Sequence, residues 1–467
     1  MSIVRWIVLP CLASGLMVLA LVLAIRWISR LSRAAGIVVA AGFAVRLVIA
    51  SALFWISYLR LPVLSSLQVG NGFWNIAIDA TEYYQWSLYG AELGLHTITA
   101  GAPSPAYLEL LAVWMRVFGT SPFSPVLLNL VCYVGTCALL VSVLRGLPAR
   151  WFVRVSAATV LAVSASPMLL FVSTQALKDS LFLFFATLLG AGVWWTAWTV
   201  TEPALASWRR LAPGLLALSV GIFVTAGVRA YYPAIASGCF GFFVVAVVVR
   251  GRVNWPLLAA ASLLVMAVSV VALLYGSTEG ASYLRALTGI GPGGSAATLV
   301  ERSRLGFAGS GGATNVVEKP PVGWDVDPKF MAGPSAGHFV RGLAVGLSTL
   351  FVPMTILRLL SVIGASGGAA MVALGDLDTL VFDAMVIGTA WFAWRLWKER
   401  APNLPYFVFS LALALTLAGL MGYIVTNIGT LVRLRLMLLV PLWTLLFAFA
   451  RPRGAGEANR VGGLPES

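Results

Sequence analysis

A short run of acidic and aromatic residues early in the chain is the first place where residue types and spacing suggest chemistry. The run is Asp79-Ala80-Thr81-Glu82-Tyr83-Tyr84-Gln85-Trp86. Helical spacing would place four of these residues on one face: Asp79, Glu82, Tyr83 and Trp86. A carboxylate beside aromatic rings suits contact with a sugar, and a partly desolvated carboxylate can act as a general base. The alternative is that Asp79 caps the helix by accepting backbone N–H bonds.

Basic residues at the ends of apolar stretches form a second candidate set. They are Lys178, in the polar turn 173–180, then Arg229, Arg433 and Arg435. An arginine at the edge of hydrocarbon costs free energy unless it reaches water or an anion, so these cations suggest a phosphate or pyrophosphate site. The alternatives are simple snorkelling of the arginines, and for Lys178 a solvated turn in which Asp179 caps the next helix.

Further charged residues lie near or inside apolar stretches. The Asp-x-Asp pairs, Asp325 with Asp327 and Asp376 with Asp378, have a spacing that can present carboxylates to Mg²⁺ or Mn²⁺, but no third ligand is evident. Arg46 lies in the middle of an apolar stretch and is expected to pair with a carbonyl or an acid, for which Asp383 is a candidate. We therefore expect no resident cofactor, with a divalent metal as the alternative.

The composition excludes a soluble globular protein. Of 467 residues, 60% are hydrophobic and only 10% are charged, and apolar stretches of about 20 residues recur along the chain. The net charge of +14 comes largely from short loops between these stretches, which indicates membrane orientation and not nucleic-acid binding. The four cysteines lie in apolar stretches and behave as small hydrophobic residues.

The pattern predicts an all-α, polytopic bundle of about 11 transmembrane spans in a single multi-pass domain, 1–467. The spans are 3–25, 34–57, 122–144, 155–173, 180–199, 212–228, 232–249, 255–275, 376–396, 404–426 and 431–450. The positive-inside rule places the loop with Arg26, Arg30 and Arg33 and the polar tail 451–467 in the cytoplasm. Two larger loops, 59–122 with an amphipathic piece at 106–118 and the glycine-rich 276–341, lie outside. The segment 338–365 is expected to be re-entrant, and the first span is expected to be retained.

The order of these features resembles the GT-C superfamily of integral-membrane glycosyltransferases, especially bacterial enzymes similar to protein O-mannosyltransferases and the lipid A aminoarabinose transferase. The matching features are Arg46, Asp79-Ala80-x-x-Tyr83, 107–111, 116–122, Ser166-Pro167, 175–180 and 427–435. The resemblance implies sugar transfer from a polyprenyl-phosphate donor, on the outer face of the bacterial inner membrane, to a glycolipid, polysaccharide or protein acceptor.

In this family the first-loop aspartate is the catalytic base, a role that carries over to Asp79. Lys178, Arg229, Arg433 and Arg435 would then stabilise the leaving phosphate, with Glu82 and Tyr83 near the substrate. Glu82 lies three residues after Asp79, so the adjacent acidic pair of many relatives is missing and a metal is less expected. Two other functions stay open: a transporter or flippase for lipid-linked sugars, and a polysaccharide polymerase or ligase built around His338 and Arg341.

Overall fold

The structure is a helical bundle. The computed structural model describes residues 9–98, 102, 104–251, 253–276, 340, 343–344, 347, 350–351, 368–424 and 434–452. The α-helices described there are α1 Leu9–Leu31, α2 Arg33–Tyr58, α3 Ile78–Leu93, α4 Pro105–Phe118, α5 Ser124–Leu144, α6 Ala149–Ala165, α7 Pro167–Ser173, α8 Asp179–Thr201, α9 Trp208–Val228, α10 Tyr231–Val249, α11 Trp255–Gly276, α12 Gly368–Glu399, α13 Leu404–Ile424 and α14 Leu436–Leu445. Strands β1 Gln68–Gly70 and β2 Phe73–Trp74 form a small antiparallel hairpin.

The predicted all-α membrane bundle is confirmed. Within the described residues, nine helices are long and apolar enough to cross a membrane, or ten if the bent pair α6 and α7 is one span. The shorter apolar segment Leu436–Phe449 lies in the eleventh predicted span. Large apolar side chains remain exposed along these helices, among them Leu16, Val48, Leu216 and Leu263. Such surfaces are stable in contact with lipid, and the chain is therefore a multi-pass membrane protein.

The first predicted loop is largely helical. Helix α1 continues to Leu31 and α2 begins at Arg33, so only Ser32 separates them. Arg26 and Arg30 thus lie in α1, not in the predicted loop. Long arginine side chains can reach water from the last turns of a helix, so the charges did not end the helix.

The predicted span 155–173 is bent in the middle. Helices α6 and α7 meet at Ser166-Pro167 with an angle of 61°. Proline disfavours helical geometry in the residue before it and suits the first turn of a new helix. The Ser166 hydroxyl caps α7 by accepting the Leu169 backbone N–H at 3.1 Å. The bend therefore follows directly from the Ser-Pro pair.

Short connections gather at one end of the bundle, which we call the basic end: 145–148, 202–207, 250–251 with 253–254, 400–403 and Arg451. The Gly146 carbonyl accepts the Arg451 N–H at 3.0 Å, and the Val200 carbonyl accepts that of Asn254 at 3.2 Å. Arg150 pairs with Glu399 at 2.6 Å. The opposite end carries α3, α4 and the first turn of α8, and we call it the site end.

Arg46 is buried in the bundle, where carbonyl groups accept from its two terminal nitrogens. Its guanidinium donates to the Gly42 and Ser164 carbonyls at 3.2 Å and to the Val163 carbonyl at 3.0 Å. It also lies 4.1 Å from the centroid of the Tyr133 ring. The prediction that Arg46 pairs with a carbonyl is thus confirmed. Asp383 lies within electrostatic range of Arg435 instead.

Helices α8 and α9 pack with their backbones in close approach because glycines line the crossing. A Cβ atom added at Gly192 would lie 2.6 Å from the Leu218 backbone nitrogen and 2.9 Å from the Gly214 carbonyl oxygen. Small residues allow such crossings in membrane helices. Since α8 is the most buried of the candidate spans, this contact holds the centre of the bundle together.

Gly192→Ala is expected to lower stability by about 1–3 kcal/mol, because the helix backbones would have to separate. Thermal unfolding in detergent, followed by tryptophan fluorescence, measures the loss. Gly238→Ala in α10 is the matched control, since no atom lies within 4 Å of its added Cβ. Equal melting temperatures for the two variants would contradict this account of the crossing.

Several predictions fall outside the described residues. They concern Asp325, Asp327, His338, Arg341, Arg433, the tail beyond residue 452, nearly all of the glycine-rich loop 276–341 and most of 338–365. These remain predictions.

Candidate functional site

The described part of the first predicted outer loop contains two packed helices, α3 and α4, besides the small hairpin of β1 and β2. The predicted amphipathic piece 106–118 is α4, which starts at Pro105 and buries one face that includes Tyr107, Leu108 and Leu111. The rings of Tyr83 and Tyr107 meet edge to face with their centroids 5.4 Å apart. This contact fixes the middle of α3 against the start of α4.

Tyr84 ties α3 to the end of α4. Its hydroxyl donates to the Thr120 carbonyl at 2.7 Å. Burial raises the pKa of Tyr84, and the negative charge of Glu92 raises it further. The hydroxyl therefore keeps its proton at neutral pH and the bond persists.

Asp79 lies in the first turn of α3. The N-cap position is occupied by Ala77, which gives no side-chain cap, so Asp79 is a first-turn residue. The alternative that its carboxylate accepts backbone N–H bonds stays a prediction. A negative charge in the first turn is still favoured by the helix dipole. Asp79 is half-buried, Glu82 is exposed and Tyr83 is 5% exposed. On the predicted face, the exposure of the side chains therefore increases from Tyr83 through Asp79 to Glu82.

Lys178 connects the α3 turn to the bundle. Its ammonium nitrogen hydrogen-bonds to the Ser104 hydroxyl just before α4 and lies 5.5 Å from the centroid of the Tyr83 ring. The Ser104 hydroxyl also lies 3.4 Å from the Val228 carbonyl oxygen at the end of α9. Because Asp79 and Tyr83 are one helical turn apart, with Cβ atoms about 6 Å from each other, the predicted base and Lys178 lie on neighbouring elements of one site.

Arg229 has an acidic partner within the fold. Its guanidinium forms an ion pair with Asp179, and both side chains are almost fully buried. It also donates to the Tyr231 hydroxyl at 3.0 Å and lies 5.6 Å from the Phe182 ring centroid. The expected phosphate-binding role of Arg229 therefore competes with a structural one, and Asp179 is an ion-pair acid as well as a first-turn residue.

Arg435 lies in a separate polar cluster between α12 and α14. It is 2% exposed, donates to the Thr379 hydroxyl and lies within electrostatic range of Asp378 and Asp383. Met437, two residues later, accepts a hydrogen bond from the Tyr231 hydroxyl at 3.4 Å. This contact through Tyr231 links the Arg435 region to Arg229.

Asp378 is held by the bend between α6 and α7. Its carboxylate accepts the Ser166 hydroxyl at 2.5 Å and the Met168 backbone N–H at 3.1 Å. These bonds attach α12 to the bend between α6 and α7. Asp378, the second acid of a predicted Asp-x-Asp pair, thus has hydrogen-bond partners within the fold. Among the described residues, no group of three or more histidine, cysteine, aspartate or glutamate side chains is close enough to hold a metal ion.

The site thus brings together Asp79, Tyr83, Lys178 and Arg229 through α3, α4, α8 and α9. Ser104, which holds Lys178, was not predicted, although the Ser-Pro pair at 104–105 is a recognisable helix start. Tyr83 is buried against Tyr107, so it positions Lys178 instead of facing open solvent. Comparisons with protein-family models, curated proteins and solved structures found no match. The resemblance to GT-C enzymes therefore stays a prediction.

Proposed function

We propose that the protein transfers a sugar from a polyprenyl-phosphate donor to a glycan, glycolipid or protein acceptor. The reaction takes place at the site end, on the outer face of a bacterial cytoplasmic membrane, with Asp79 as general base. The observation that supports this most is the contact between Lys178 and the Tyr83 ring at 5.5 Å. It joins the helical turn that carries a carboxylate to a cation suited to a lipid phosphate.

The chemistry is a single displacement. Asp79 takes the proton of the acceptor hydroxyl while its oxygen attacks the anomeric carbon of the donor sugar. The bond between that carbon and the phosphate oxygen breaks, and polyprenyl phosphate leaves with the electron pair. Attack from the opposite side inverts the anomeric configuration. The leaving phosphate is a weak base, so it needs a cation more than it needs a proton.

Lys178 is the best placed of the described cations for the leaving group. Its ammonium nitrogen lies 5.5 Å from the Tyr83 ring centroid, one helical turn from Asp79. Arg229 forms an ion pair with Asp179 farther from that turn of α3. Arg435 is buried beside Thr379 and two acids. We therefore assign the phosphate to Lys178. Arg229 supports the site through its ion pair with Asp179, the residue next to Lys178.

The topology agrees with an outward-facing site. The basic connections gather at the end opposite α3 and Lys178, as the contacts of Gly146, Arg150 and Asn254 show. The positive-inside rule assigns such an end to the cytoplasm. A donor on the outer leaflet would present its phosphate near the first turn of α8.

Lys178→Gln is expected to lower sugar transfer by about two to three powers of ten, because one charged donor to the leaving oxygen is lost. Lys178→Arg keeps the charge and should recover part of the rate. Transfer from radiolabelled polyprenyl-phosphate sugars by purified protein measures both variants. Full activity of Lys178→Gln would contradict the assignment of the phosphate to Lys178.

A further inference from the structure

The last three turns of α12 expose an aromatic surface at the basic end. Trp391, Trp394 and Trp397 are 45%, 50% and 50% exposed. Indole rings favour the boundary between hydrocarbon and headgroups because they combine a large apolar ring with an N–H donor. These residues mark the depth at which α12 leaves the hydrocarbon.

Two cations lie against this aromatic surface. The Lys398 nitrogen is 3.9 Å from the Trp394 ring centroid, and the Arg395 guanidinium carbon is 5.2 Å from the same centroid. The guanidinium also lies 5.6 Å from the Trp391 centroid. Contact with the rings holds both charges in place, so they form a fixed pair of donors at the surface.

The surroundings keep this surface positive. The nearest described acid on α12, Glu399, is bound by Arg150 at 2.6 Å and by the Trp151 indole N–H at 2.5 Å. Burial, and then the charge of Arg451, lower the pKa of Arg400 to about 10. This value is well above neutral pH, so Arg400 keeps its charge.

An apolar stripe leads from the cations into the membrane. Leu380, Ile387, Trp391, Trp394 and Lys398 follow one another at helical spacing and are all exposed, with Ile387 at 69%. Along this face of α12, aliphatic side chains come first, then indole rings, then an ammonium group. The order matches that of a phospholipid: acyl chain, ester region and phosphate.

We propose that this stripe binds an anionic phospholipid of the leaflet at the basic end. The phosphate lies between Arg395 and Lys398, the ester region rests on the indole rings, and an acyl chain follows Ile387 and Leu380. Charge complementarity selects the anionic lipid, because a zwitterionic headgroup carries its own cation. The proposal rests on α12 and its neighbours at the basic end and is independent of the activity proposed for the site end.

The test is lipid binding by the full-length protein in native mass spectrometry, titrated with phosphatidylglycerol or phosphatidylcholine. The wild type should bind phosphatidylglycerol more tightly. Arg395→Gln/Lys398→Gln should weaken that binding by about tenfold, since each basic residue near the surface contributes to anionic-lipid affinity. The control Arg209→Gln/Arg250→Gln removes two exposed charges elsewhere at the basic end and should retain it.

Three outcomes would overturn the proposal. One is equal affinity of the wild type for the two lipids, and another is the same loss in the control variant as in Arg395→Gln/Lys398→Gln. The third is that Arg395→Gln/Lys398→Gln keeps the phosphatidylglycerol affinity of the wild type but converts a dimeric wild type into a monomer. That result would assign the stripe to a second copy of the chain. Matching melting temperatures of the two variants ensure that lost binding does not reflect unfolding.

Discussion

Replacing Asp79 by asparagine is expected to lower the rate of sugar transfer by about two to four powers of ten, because an amide cannot accept the acceptor proton. Donor binding should stay nearly unchanged, since the phosphate is assigned to Lys178. The effect on catalysis is measured as turnover at saturating donor. The effect on donor binding is measured independently, as the affinity for the polyprenyl-phosphate sugar.

Glu82→Gln is the matched control for this variant. The resemblance implies that Glu82 lies near the substrate. It lies on the same helix, one turn from Asp79, but its side chain is exposed, so our proposal gives it no part in the reaction. It should change the rate by less than about fivefold, because an exposed carboxylate is not held against the reacting atoms. If Glu82→Gln abolished transfer and Asp79→Asn did not, the base would have been assigned to the wrong carboxylate.

Arg229→Met is expected to cost about 3–5 kcal/mol of stability, because it leaves the Asp179 carboxylate buried without its ion-pair partner. Asp179→Asn/Arg229→Met should recover most of the loss, since it removes both charges and leaves two groups that need no ion pair. Thermal unfolding in detergent measures the three proteins. The difference between single and double variants gives the coupling free energy of the pair.

The control for Arg229→Met is Arg250→Met, an exposed arginine at the basic end. Its melting temperature should stay close to that of the wild type, as expected for a surface charge. A double variant as unstable as Arg229→Met alone would show that the contacts of Arg229 with Tyr231 and Phe182, and not its pair with Asp179, stabilise the end of α9.

The sequence predicts the helices well because a backbone in lipid must satisfy its own hydrogen bonds, so long apolar stretches have few alternatives. The helix of the predicted span 232–249 begins at Tyr231 and ends at Val249. The misses have physical reasons. Arg26 and Arg30 lie within α1 because their long side chains can reach water from a helix. The bend between α6 and α7 follows from Ser166-Pro167, and the length of the apolar stretch alone does not indicate it.

The site is less predictable because its contacts join distant segments. Asp179 and Arg229 are 50 residues apart in the chain, and helical periodicity cannot show that they meet. The sequence offers Asp383 as a partner for Arg46, but Asp383 lies within electrostatic range of Arg435. Residue types single out the charged residues, whereas the partner of each depends on helix packing, which the sequence does not reveal.

The central claim is transfer of a sugar from a lipid-linked donor, and turnover by the purified wild-type protein tests it most directly. The protein would be reconstituted in vesicles with a panel of polyprenyl-phosphate sugars and with glycolipid, glycan and peptide acceptors. The account predicts that one sugar is transferred with inversion and that free polyprenyl phosphate is released in equal amount. Absence of transfer from every donor, combined with movement of the lipid-linked sugar across the bilayer, would contradict it and favour a transporter.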